Sequence, residues 1–93
     1  MSLLLKDPVA VLDYGIDWGR QYLDGDLLAE SNWTVEPADQ DGVTVLAASF
    51  DERSSRVKLG GGVAGRVYRV RNHVVTAIGR ADSRSLVLRV EGR

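Results

Sequence analysis

The chain has 93 residues, 44% of them hydrophobic, no cysteine and a formal net charge of −1. A chain of this size buries only about 60–65% of its unfolded surface and reads as a single domain. The absence of cysteine excludes both a disulfide framework and thiolate metal sites.

The small net charge hides a division. Residues 1–52 carry eleven acidic and two basic side chains, whereas residues 53–93 carry two acidic and ten basic, so the halves stand at −9 and +8. Three accounts follow. Strands from the two halves lie side by side and neutralise each other. Alternatively the acidic surface of one copy meets the basic surface of another, giving a homo-oligomer. In the third, the basic half binds nucleic acid, but Tyr68 is its only aromatic, so stacking platforms are nearly absent and no nucleic-acid partner is expected.

In chain order, the first six residues hold a run of three leucines before Lys6-Asp7-Pro8. That run is too short for a signal peptide or a spanning helix, so no membrane partner is expected and synthesis in the cytoplasm is. From Leu12, Tyr14, Ile16 and Trp18 fall on one face and Asp13, Gly15 and Asp17 on the other, which predicts a strand with a polar outer side. Gly19 to Leu23 fits either a helical turn or a loop, and Asp24-Gly25-Asp26 marks a turn. The next alternation places Leu27, Ala29, Ser31, Trp33 and Val35 inward, with Trp33 as a core anchor. Glu36-Pro37 ends that strand. Val43 to Phe50 forms another, with a bulge at Leu46-Ala47-Ala48, and after a polar loop Val57 and Leu59 point inward.

The segment from Val67 to Thr76 alternates Tyr68, Val70, Asn72 and Val74 against Val67, Arg69, Arg71 and His73, and Leu86, Leu88 and Val90 resume the pattern after Gly79–Ser83. This predicts a hairpin with a loop of about three to five residues. A five-residue loop sets Arg71 opposite Glu91, and a three-residue loop sets it opposite Arg89. Opposed like charges cost about 0.2–1 kcal/mol, which favours the longer loop. Six to seven strands with turn signals between them read as an all-β, antiparallel, immunoglobulin-like sandwich.

Little chemistry accompanies this scaffold. Gly60-x-Gly62-x-x-Gly65 matches the dinucleotide fingerprint by letter, but a strand follows it where the fingerprint needs a helix N-terminus, so a turn of positive φ is expected instead. His73, the only histidine, has no Ser, Cys or second His placed beside it by sequence. Asp13, Asp17, Asp24 and Asp26 lack the dense oxygen-ligand spacing of a calcium loop. The expectation is a non-enzymatic protein without cofactor or metal. A second reading is a binding module for carbohydrate or another ligand, with Tyr14, Trp18 and Tyr22 as an exposed aromatic platform.

Lys6-Asp7-Pro8, Val11-Leu12-Asp13-Tyr14-x-Ile16-Asp17-Trp18, Trp33-Thr34-Val35, Leu59-x-Gly61-Gly62-x-x-Gly65-x-x-Tyr68-x-Val70-x-Asn72 and Gly79-Arg80-x-Asp82-x-Arg84-Ser85, in that order, span nearly the whole chain. Together they resemble a family of small structural proteins of tailed bacteriophages and prophages, encoded in the head and neck morphogenesis region. The resemblance implies an immunoglobulin-like fold and a virion location. It also implies a capsid-decoration, fibre or head-to-tail joint role, with other virion proteins of the capsid or neck as partners. The chain departs from that family at Lys58, where an aromatic residue is common, and at Arg66, Arg69 and Arg71, in a strand usually richer in threonine. Lys58, Arg66, Arg69, Arg71, Asp13 and Asp17 are the candidate contact residues, and Lys58, Arg66 and Arg69 the candidates for blunting sheet edges.

Overall fold

The computed structural model describes residues 2–38 and 40–92. Its strands are β1 (Ser2–Lys6), β2 (Leu12–Asp17), β3 (Leu28–Glu36), β4 (Val43–Phe50), β5 (Ser54–Gly61), β6 (Val67–Thr76) and β7 (Ala81–Val90), with one short helix, α1 (Trp18–Gln21). They form two sheets, of order β1-β7-β6-β3 and β2-β5-β4. The expected antiparallel immunoglobulin-like sandwich is what the chain forms, with one parallel pairing, β1 on β7. β1 carries no signal in the sequence, because three consecutive leucines show no alternation.

Between the sheets lies an apolar core of Val43, Val57, Leu59, Tyr68, Val70, Leu86, Leu88 and Val90, and a second cluster of Ile16, Trp18, Leu23, Leu28 and Val74 fills one end. The period-two pattern of β6 buries Tyr68, Val70, Asn72 and Val74, as expected. Helix α1 continues β2 by a single turn, with the amides of Tyr22 and Leu23 donating to the Trp18 carbonyl, and this delivers Trp18 and Leu23 into the core.

Buried polar groups join the sheets. Trp18 Nε1 donates to Asn72 Oδ1 at 2.9 Å, and Asn72 Nδ2 donates to Ser31 Oγ at 2.9 Å and to the Asn32 carbonyl at 3.0 Å. Ser31 Oγ shares a 2.6 Å hydrogen bond with Ser55 Oγ, which also accepts Trp33 Nε1 at 2.9 Å. With all its hydrogen-bonding groups used, Asn72 sits at 0% exposure at no unsatisfied cost.

The glycine-rich turn between β5 and β6 has a structural purpose. Gly61 has φ 73°, and a Cβ there would stand 2.6 Å from the Gly42 carbonyl oxygen, so only glycine fits. The amide of Val63 donates to Tyr68 Oη at 3.1 Å, a tyrosine-corner contact at the start of β6. Beside this turn Lys6 is buried at the end of β1, its Nζ donating to the carbonyls of Asp7 and Gly61. Burial lowers its pKa, with the nearby Asp7 charge opposing the shift.

Several expectations are corrected. The β6–β7 loop spans Ala77–Arg80, so Arg71 pairs with Ser85 and faces neither Glu91 nor Arg89. The turn is closed by the Thr76 carbonyl accepting Gly79 N and by the Arg80 carbonyl accepting Thr76 N, with Gly79 at φ 91°. Ala81, Asp82 and Ser83, read as loop, therefore begin the strand. In β3 a bulge between Leu28 and Glu30 turns Leu28 inward in place of Leu27. The bulge expected in β4 is present between Val45 and Ala47. The tryptophans exchange rank: Trp18 is fully buried, whereas Trp33, on a strand that ends its sheet, is half-buried.

Trp18→Ala is expected to cost about 3–5 kcal/mol of unfolding free energy; Trp33→Ala should cost less, and urea denaturation of both variants measures the order. Tyr68→Phe leaves the Val63 amide without its acceptor and should cost about 1–3 kcal/mol in the same assay.

Candidate interaction surface

The candidate contact residues divide between the two outer faces. Asp13 and Lys58 are register partners on β2 and β5, outward on the three-stranded sheet, and Asp17 lies opposite Ser54 at the end of β2. Asp13 and Lys58 line an open groove of about 510 Å³ with Gly15, Ala47, Ser49 and Arg56. Arg69 and Arg71 project from β6 on the opposite side of the sandwich, and Arg66 lies in the turn before that strand. The structure thus brings Asp13 to Lys58, and Arg69 to Arg71, and holds the two groups on opposite faces.

Lys58, Arg66 and Arg69, the candidates for blunting an edge, do not lie on edge strands. The edge strands are β1, β3, β2 and β4, whereas Lys58 and Arg69 occupy the inner strands β5 and β6. Part of the charge division resolves into neighbours: the acidic edge strands β2 and β3 lie against the basic inner strands β5 and β6, with Asp13 opposite Lys58 and Glu36 opposite Arg69. This arrangement favours the side-by-side account.

The outer face of the four-stranded sheet contains residues that the sequence reading did not single out. Across the strands, one row runs Leu3, Val87, Arg69, Glu36, and a second runs Leu5, Arg89, Val67. Leu3, Leu5 and Val67 are 64%, 63% and 52% exposed, so an apolar strip lies open beside three arginines, Arg69, Arg71 and Arg89. Arg89 Nε pairs with Glu91 at 3.1 Å. Leu3 and Leu5 escaped detection because their strand did, and with it their place beside Val67.

Other expectations have definite outcomes. His73 stands opposite Ser83, its Nδ1 2.9 Å from Ser83 Oγ, and Arg71 donates to the same oxygen at 3.1 Å. The corrected register therefore supplies a serine where sequence placed none. All three lie on the outer face of the four-stranded sheet. Asp24 and Asp26 do not join Asp13 and Asp17: Asp26 is buried and bound to Arg80, which also donates to the Leu23 carbonyl and stacks on Tyr22. No group of three metal-ligating side chains occurs among the described residues. The exposed aromatic platform is overturned, because Trp18 is fully buried with Arg84 stacked on its ring, and Tyr14 and Tyr22 pack half-buried against the tryptophans. No helix of the described residues is long and apolar enough to cross a membrane.

Among solved structures, the chain is similar to one titled the solution structure of the PKD domain from KIAA 1837 protein. The TM-score is 0.56 at 16% sequence identity, covering 99% of this chain and 80% of that one. At that identity the likeness concerns the fold, an immunoglobulin-like β-sandwich. No curated protein matches. A family model described as podophage GP4 fiber-tail adaptor protein gp77 matches residues 6–89. The chain belongs to this family and is a phage structural protein, in agreement with the resemblance read from its sequence.

Two carboxylates are held below their ordinary pKa in the fold. For Asp26, burial alone would raise the pKa, but hydrogen bonds from Thr76, the Leu27 amide and Arg80, with the Arg80 charge, hold it below the ordinary carboxylate value. Asp51 is lowered by the amides of Arg53 and Ser54 and by the Ser54 hydroxyl. A depressed folded pKa contributes stability that is complete above the unfolded value of about 3.9 and is lost as pH falls through the folded one. The melting temperature should therefore drop as pH is lowered past about 4. Asp26→Asn should melt lower than the parent at pH 7 and lose less on acidification, as read by thermal melts across pH.

Proposed function

We propose that the protein is a non-enzymatic, one-domain adaptor of the virion that joins a fibre to the tail by protein–protein contact. The family match over residues 6–89 carries this reading. Of the roles left open by the sequence, it favours the fibre–tail joint over capsid decoration, and partners on the tail side over the capsid or neck. An adaptor needs two separate surfaces, and the sandwich offers outer faces of different character. One has a groove lined by Asp13, Arg56 and Lys58; the other has an exposed apolar strip with Arg69, Arg71 and Arg89 beside it. Aliphatic side chains next to arginine have the composition of an interface centre, and the charge selects an acidic partner and hastens encounter.

Arg69→Glu combined with Arg71→Glu reverses that face while leaving the core untouched. The double variant should keep its melting temperature within a few degrees, because exposed substitutions change stability by about 0.5 kcal/mol or less each. It should fail to enter particles when supplied in place of the parent during phage growth. Normal incorporation would show that the arginine face is not a virion contact.

A further inference from the structure

A sheet edge can take a partner strand only where its backbone groups are unpaired. The turn between β4 and β5 is closed by the Asp51 amide donating to the Ser54 carbonyl, and Phe50 pairs with Ser55. Along an antiparallel strand, successive residues turn amide and carbonyl together, alternately to one neighbour and to the other. Ser54 and Arg56 therefore turn theirs toward β4, and Ser55, Val57 and Leu59 turn theirs toward β2. The partners of those last three are Ile16, Tyr14 and Leu12. It follows that Asp13, Gly15 and Asp17 direct their amides and carbonyls away from β5, to the outer edge of β2. β2 pairs with no strand but β5, and among the described residues no other hydrogen bond reaches the backbone of these three. Two of the other edges are broken: the Leu28 amide of β3 donates to the Glu52 carbonyl, and a bulge between Val45 and Ala47 interrupts β4. β2 keeps its register with β5 from Leu12 to Asp17 without a shift.

The side chains at that edge say what it accepts. Asp13 and Asp17 are exposed on the outer side of β2, and Gly15 between them puts no side chain in the way of an approaching backbone. Asp13 has Lys58 on its inner neighbour and nothing on the edge side, while Asp17 stands opposite the neutral Ser54. On the inner side, Leu12 and Tyr14 are only partly buried against the core. We propose that the outer edge of β2 accepts an extended, basic segment of a partner virion protein by β-strand addition. Alternate residues of that segment place lysine or arginine beside Asp13 and Asp17, and apolar side chains between them continue the inner layer from Leu12 and Tyr14. The same carboxylates argue against a second copy as occupant. Two β2 strands paired antiparallel about Gly15 would set Asp13 of each opposite Asp17 of the other, where like charges repel. The proposal rests on the adaptor reading for its partner and names that partner's form, and it uses the three-stranded sheet, which does not contain the arginine face.

The test uses a fluorescein-labelled peptide with the core Lys-Val-Thr-Val-Lys, and the same peptide N-methylated at its lysine and threonine amides, which face β2 when the lysines stand beside Asp13 and Asp17. Fluorescence polarisation should show binding of the first and not the second. Hydrogen exchange should slow about tenfold or more at the amides of Asp13, Gly15 and Asp17. Gly15→Pro removes one edge-facing donor without touching the ladder to β5, and should abolish binding. Asp13→Asn with Asp17→Asn, which alters only exposed side chains, should weaken it about fivefold. Glu30→Lys, on β3, should leave it unchanged. Four results would each overturn the proposal. They are no slowing at those three amides, equal binding of the N-methylated peptide, slowing at residues 2–6 instead, which would assign the edge to β1, and slowing that appears without peptide as protein concentration rises, which would assign it to a second copy. Because no particle is involved, failure here leaves the adaptor reading to stand or fall on the arginine variant.

Discussion

The buried amide of Asn72 is the constraint around which the sandwich is arranged. It accepts from Trp18 at the start of α1 and donates to Ser31 and Asn32 on β3, and through Ser31 it reaches Ser55 on β5. Each bond contributes about 0.5–1.5 kcal/mol net, while a buried group left without its partner costs about 1–3. The penalty for misplacement therefore exceeds the reward for contact. A network of this kind selects one alignment of the sheets more than it deepens the energy well. In a chain without cysteine, it ties together strands that apolar packing alone would allow to slide.

The same alignment fixes how the two sheets face each other. The Ser31–Ser55 and Trp33–Ser55 bonds fix β3 against β5 at Ser55, while the C-terminal end of β3 leads through its turn into β4. Charge follows a related plan on two of the edges, where the acidic residues of β2 and β3 lie beside the basic residues of β5 and β6. Each outer face is nearly balanced, yet patterned enough to discriminate between partners.

Much of this was legible in the sequence where periodicity was strong. β6 alternates over ten residues and was read correctly to the side chain, including the inward Asn72, and the Leu46 bulge was visible as a break in alternation. What was hidden depended on pairing. The β6–β7 register turned on a loop containing Ala77 and Ile78, residues that carry no turn signal, while the polar Asp82 and Ser83 imitated one. Leu27 and Leu28 are indistinguishable until the bulge decides between them. The exposed strip and the His73–Ser83 contact exist only once strands are set side by side, so no local pattern announces them. Family membership was readable because its signature coincides with structural necessities: Gly61 at positive φ, Tyr68 holding Val63, and Trp18 bound to Asn72.

The parallel pairing of β1 with β7 bears on how the fold carries load. Because the strands run the same way, from Ser2 opposite Leu86 to Lys6 opposite Val90, tension applied between the start of β1 and the end of β7 draws them along their length in opposite directions. All five register pairs resist together, as in a lap joint under shear, whereas tension across a hairpin mouth peels its bonds one by one. Resistance to a pull is governed by the rate of rupture rather than by equilibrium stability. A small fold of ordinary stability can on this geometry be mechanically strong in one direction.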